Sequence, residues 1–265
     1  GGVLALALVA YFLVIKKDKG RNRSAGSNDR GKAREKCAAN CGQIYKGMLS
    51  FSAKNKGRLP WQLTPAGIRS NFDKFNAPPG APFGTQPNPR INVLVHHPTV
   101  DWTAGCLMIS TVKREMGTHK IFHSPTDHTR AAAQEEFGEW WANLTSRMVS
   151  ENPWPVVEPY AQMVTRALSY TFVIGGDTKR PSSVLACTRN LSTDSLGTGR
   201  WLGSDKDITN GRTMSGLTYS QGQFVLMDGS AKQGSNSDIG NAGGLTQAAR
   251  TATGGCATGA TSLQT

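Results

Sequence analysis

The chain has 265 residues, 38% of them hydrophobic with six Trp, enough to bury the core of one large domain with appendages. Its formal charge of +12 is uneven, because residues 16–36 hold nine Lys or Arg against three acids, +6 of that excess. A nucleic-acid module spreads its charge over a groove interleaved with aromatics, so the pattern argues against nucleic acid as a partner. The five Cys contain no Cys-x-x-Cys, which excludes zinc-ribbon and thioredoxin-like sites.

Residues 3–15 are uninterruptedly apolar. Thirteen residues fall short of the ~20 that span a bilayer. A helix apolar all round must still be buried somewhere, here in a filament core among neighbouring copies or in a membrane. We therefore treat residues 1–17 as an apolar assembly or anchor helix, with Leu4, Leu6, Leu8, Tyr11, Phe12, Leu13 and Ile15 as its core. Residues 18–31 are polar and carry Gly20, Gly26 and Gly31, which predicts an extended linker.

Residues 32–56 form an amphipathic helix. Cys37, Cys41, Ile44, Tyr45, Met48 and Leu49 recur at three- and four-residue spacings, and Gly57 and Pro60 end the run. Gly42 and Gly47 each cost roughly 1 kcal/mol against alanine, so packing on a sheet has to hold this helix. Cys37, Cys41, Ile44, Tyr45 and Met48 are the expected packing contacts.

Residues 61–90 are loop-rich. Strands are expected at 91–95, 106–112 and 120–122. A second helix is expected at 130–150, with Phe137, Trp140, Trp141, Leu144 and Met148 on one face. A short helix at 160–166 precedes strands at 169–174, 184–187 and 223–227. Residues 192–216 read as a polar surface loop. Residues 230–265 have no aromatic residue and seven Gly among thirty-six, a tail that buries no core of its own.

All five His lie between 96 and 128, with Asp101 and Asp127 among them. His119, His123 and Asp127 are candidate cation ligands, as are Asp205 and Asp207 in a short acidic loop. No His-Glu-x-x-His, nucleophile elbow or phosphate-binding Gly loop is present. A Cys106–Cys187 disulfide is one of several open pairings. We expect no catalytic residues and no enzyme activity.

The run Ala33-Arg34-Glu35-Lys36-Cys37-x-x-Asn40-x-x-Gln43-Ile44, followed by Asn55-Lys56-Gly57-Arg58-Leu59-Pro60, resembles the helix of pilin-like proteins of the prepilin His-x9-Asp-Gly family. Three later stretches resemble that family in order: Ile121–Asp127 its Phe-x-Cys-Pro-Ser-Asp, Ser169–Phe172 its Ser-Tyr strand, and Phe224–Gly229 its closing strand and Asp-Gly turn. Thr218 stands at the family's His, and Ser124 at its Cys before Pro-Ser-Asp.

The resemblance implies an α+β, pilin-like fold over residues 32–229: an N-terminal apolar helix, a non-helical linker, then an amphipathic helix on an antiparallel sheet. It implies a subunit of a pilus-like or pseudopilus-like filament, outside the cell or in its envelope. Its partners would be copies of itself, the inner membrane before assembly, and type IV pilus or type II secretion-like machinery. No cofactor is implied beyond calcium, which the likeness to pseudopilins raises for the acidic loops. The alternative is a membrane-anchored periplasmic or surface module that binds an acidic polysaccharide or DNA.

Overall fold

The computed structural model describes residues 29–63, 67, 70, 71, 106, 107, 109–143, 163, 166–173, 176–193, 195–205, 211–214 and 216–250. The assembly-core residues Leu4 to Ile15, the linker up to residue 28, the strand expected at 91–95, Leu144, Met148, Cys256 and the tail beyond 250 lie outside these. No helix among the described residues is long and apolar enough to cross a membrane.

Helix α1 covers 29–54. Residues 29–31, assigned above to the linker, are therefore helical. A single Gly31 costs only about 1 kcal/mol, too little to stop a helix propagating from a buried stripe. Cys37, Cys41, Ile44, Met48 and Phe51 are fully buried and Tyr45 is half-buried. Leu49, placed on this stripe above, is 41% exposed, and Phe51 continues the buried face instead. Gly57 closes the helix with φ +77° and donates its N–H to the Ser52 carbonyl at 2.8 Å. Pro60 opens a 3-10 turn, Pro60–Gln62, whose buried Trp61 donates Nε1–H to the Gly176 carbonyl at 2.9 Å.

Four antiparallel strands form a meander in the order β1-β2-β3-β4: β1 Tyr170–Phe172, β2 Val184–Thr188, β3 Gly222–Leu226 and β4 Ala231–Gly234. The chain is α+β. Every residue of β1, β2 and β3 is buried, so both faces of the sheet are covered. Tyr170, Phe172, Leu185, Val225 and Met227 pack with α1. Val173, Val184, Cys187, Phe224 and Leu226 belong to a second core with Leu191, Leu196, Trp201, Ile239 and Leu245.

That second core corrects two expectations. The 192–216 segment is not a surface loop, since Leu196, Trp201, Leu202 and Met214 are buried. Residues 230–250 are not a tail either. They supply β4, Ile239 and helix α4, Gly244–Arg250. A sheet with apolar residues on both sides needs two covers, and scattered large side chains in polar sequence provide the second.

Two expected strands are helical. Helix α2 is Ser110–Met116, and His119–Phe122 is a 3-10 turn. Ile109, Val112 and Met116, spaced by three and four, are buried, a helical period masked by β-branched residues. A Cβ at Gly47 would lie 2.6 Å from Met116 Sδ, so this glycine lets α2 approach α1. Glu115 joins the two helices, accepting from Lys54 Nζ and Ser50 Oγ at 2.6 Å each. These bonds hold its carboxyl below the usual range. Nothing in the structure explains Gly42, which has open space around it. Helix α3, Gln134–Asn143, follows a 3-10 stretch, His128–Ala133, and buries Phe137 and Trp141. Within the helix expected at 160–166, the described Met163 and Arg166 are helical.

Trp201 centres the second core: its Nε1–H donates to the Ser235 carbonyl at 3.1 Å, and Gly222 of β3 passes directly over its ring. A methyl group at position 222 would sit inside the indole. Gly222→Ala is therefore expected to destabilise the protein by about 1–3 kcal/mol in urea unfolding, with a changed tryptophan emission.

Candidate functional site

The side chains with the most chemistry converge where α1 crosses the turn 123–129 and the ends of β1 and β2. The turn is built by its own hydroxyls. Ser124 Oγ and Thr126 Oγ1 lie 2.7 Å apart, Thr126 N–H donates to Ser124 Oγ at 3.2 Å, and Asp127 N–H to the Ser124 carbonyl at 2.9 Å. Neighbouring segments pin it from three sides. Asn40 of α1 donates Nδ2–H to the His123 carbonyl at 2.8 Å. Ser169 Oγ, just before β1, accepts from the Ser124 N–H at 3.0 Å. Gly216 donates its N–H to the Thr126 carbonyl at 2.7 Å, and a Cβ there would lie 2.7 Å from Thr126 Cα.

Asp127 and Arg189 form a buried, two-pronged ion pair at the centre of this junction. Arg189 Nε–H donates to Oδ2 at 2.7 Å and Nη2–H to Oδ1 at 2.8 Å, with side chains 3% and 0% exposed. Thr129 Oγ1 donates to Asp127 Oδ1 at 2.8 Å. Arg189 also donates to the carbonyls of Gly211 at 2.8 Å and Thr213 at 3.0 Å. The arrangement corrects the assignment of Asp127 to a cation site: both its oxygens already face a guanidinium, and a cation there would meet like charge.

The other candidates do not assemble. His119 lies in the 3-10 turn, edge-on to Phe137 with centroids 5.6 Å apart. Its ring rests over Gly138, and burial, with a smaller push from Lys120, lowers its pKa. His123 caps the same turn, its Nε2 3.3 Å from the Asp127 carbonyl oxygen. Asp205 accepts from the Tyr219 N–H, and Asp207 lies outside the described residues. Among the described residues no three His, Cys, Asp or Glu side chains are grouped to hold a metal ion.

Beside the ion pair lies a buried thiol pair. Cys37 and Cys41 are both 0% exposed, and Tyr170 donates its O–H to Cys37 Sγ at 3.1 Å. Hydrogen bonds to Cys37 from Cys41, and then from Ser124, Tyr170 and Thr126, lower its pKa against the opposing effect of burial. The same Cys41–Cys37 contact and burial push the Cys41 thiol well up. Burial raises the Tyr170 phenol well above its ordinary value. At zero exposure neither sulfur meets a substrate while α1 stays docked. The pair lies in the core shared by α1 and the sheet. No disulfide joins Cys106 to Cys187, and they belong to the two different cores.

Arg189 and Thr129 carry the junction and were not singled out in the sequence. Their only signal is position: Arg189 directly follows an apolar strand, and Thr129 lies two residues beyond Asp127. Comparison of the chain with family models, curated proteins and solved structures finds no match.

Two measurements check this junction. Asp127→Asn leaves Arg189 buried without its counter-charge and is expected to cost about 3–5 kcal/mol in urea unfolding, while Asp127→Leu with Arg189→Met stays near wild type. Ser124→Cys places a thiol beside Cys37 Sγ. Under a mild disulfide oxidant it is expected to lose two thiols in a denatured thiol titration, a loss absent when Cys37 is also Ser.

Proposed function

We propose that the chain is a structural subunit that polymerises into a pilus-like or pseudopilus-like extracellular filament. One observation carries this reading. The four stretches that resemble the pilin-like family, far apart in sequence, form one contiguous unit. Helix α1 touches the 121–127 turn through Asn40 and His123, and β1 through Cys37 and Tyr170. It touches the Asp228–Gly229 turn through Tyr45: a Cβ on Gly229, φ +85°, would lie 2.7 Å from the tyrosine ring.

The charge pattern and the apolar segment supply the rest. Residues 3–15 precede a basic stretch and an amphipathic helix whose apolar face is already spent on the sheet. Assembly then falls to residues 3–15, which bury apolar area against neighbouring copies at about 25 cal/mol per Å². Heterologous contacts of this kind, which do not close on themselves, extend into an open helix. The partners are copies of the chain and, before assembly, the inner membrane with type IV pilus or type II secretion-like machinery.

Negative-stain electron microscopy of native material without detergent is expected to show filaments of uniform width. A chain lacking residues 1–15 is expected to stay folded, soluble and monomeric. Dispersed particles from the full chain would instead favour an anchored module that binds an acidic partner.

A further inference from the structure

The junction holds one cation more than it can neutralise. Arg130 lies on the His128–Ala133 turn, half-buried beside the Arg189–Asp127 pair. Both oxygens of Asp127 are taken by Arg189. Arg166, the other nearby cation, pairs with Glu136 at 3.7 Å on the surface. Among the described residues no carboxylate within ion-pair distance is left for Arg130.

Its hydrogen bonding is equally incomplete. Nη1–H donates to the Arg166 carbonyl at a long 3.3 Å, and Nε is buried with no partner. The Nε–Nη2 edge, the same edge that Arg189 uses on Asp127, is unfilled. A guanidinium edge is matched in width to a carboxylate, sulfate or phosphate. Burial, and then repulsion from Arg189, bring the Arg130 pKa down to about 10 against the pull of Asp127. Proteins seldom leave such a charge uncompensated, because removing it from water costs several kcal/mol.

We propose that Arg130 anchors a binding site for a single oxyanionic group, a carboxylate, sulfate or phosphate, supplied from outside this chain. The group docks on the Nε–Nη2 edge and neutralises the surplus positive charge of the junction. Arg130 reaches the surface at its Nη1 end, where the bond to Arg166 is solvent-facing, whereas Nε is buried, so docking on the Nε–Nη2 edge requires this side chain to shift outward. The site stands whether or not the chain polymerises.

Inorganic sulfate is the probe. The full chain is heated at constant ionic strength while chloride is replaced by sulfate. Sulfate stabilises folded proteins generally, so Arg130→Met reports the background. The wild type is expected to show an additional, saturable rise in Tm that Arg130→Met lacks. Arg130→Lys keeps the charge without the fork and is expected to need about tenfold more sulfate for the same rise. In chloride alone, Arg130→Met is expected to be at least as stable as wild type. Identical sulfate responses in wild type and Arg130→Met would overturn the proposal. So would an Arg130→Met that fails to fold or is destabilised in chloride. The source of the natural group is read from protein concentration. A sulfate effect that fades as the chain is concentrated marks the carboxylate of a second copy as the occupant. An effect independent of concentration marks a free anion.

Discussion

A sheet of short strands with apolar side chains on both faces is the constraint on which the rest of this structure depends. The strands β1 to β3 run for three to five residues each and are buried throughout. Such strands cannot stand alone in water. Helix α1 covers one face with Cys37, Cys41, Ile44, Met48 and Phe51. Covering the other falls to irregular chain around Trp201, with Leu196, Ile239 and Leu245. The glycines sit where the covers approach most closely. Gly222 admits the Trp201 ring, Gly47 admits Met116, and Gly229 admits Tyr45.

Irregular chain brings a second demand, because its backbone polar groups need partners that a regular ladder would have supplied. Arg189 meets part of that demand. One guanidinium satisfies the Gly211 and Thr213 carbonyls while it pairs with Asp127, so it fixes the 211–213 segment against the 124–129 turn. Asn190 repeats the device one residue on, donating to the Leu202 carbonyl at 2.7 Å and the Gln221 carbonyl at 2.8 Å. The pair Arg189–Asn190 thus converts the end of β2 into a staple for the second cover. An apolar substitute could match the energy of such a pair but could not hold two carbonyls in place.

The periodic elements were legible in the sequence. The three-and-four spacing of α1, its Gly57 stop and three of the four strands fall where the pattern puts them, within a few residues. β4 was not legible, because Ala-Lys-Gln-Gly has neither alternation nor β-branched residues. It forms because the Asp228–Gly229 turn folds it back: Asp228 Oδ1 accepts from Ser230 N–H at 2.8 Å, and four residue pairs then follow in register. α2 was misjudged because Ile109, Thr111 and Val112 favour strand locally, while Gly47 and Glu115, far apart in sequence, decide the matter by packing. The junction was illegible for the same reason. Asp127 looked like a ligand beside His119 and His123, and only the fold brings Arg189 to it from 62 residues away.

The thiols bear on the compartment in which the chain can work. Four described cysteines are buried thiols outside any disulfide. An oxidising compartment, which an extracellular filament implies, couples thiols wherever geometry allows. Geometry does not allow it here. Cys37 and Cys41 are four residues apart on a continuous helix, where Cβ atoms stand about 5–6 Å apart, whereas a disulfide needs about 3.5–4.5 Å. Cys106 and Cys187 are held in cores on different sides of the sheet. None of the four is exposed, so exchange with an external disulfide requires α1 or the second cover to lift. Helical spacing and burial therefore let four reduced cysteines persist in an oxidising setting. They also make thiol oxidation a measure of how often the helix–sheet seam opens, since the sulfurs become reactive only in that event.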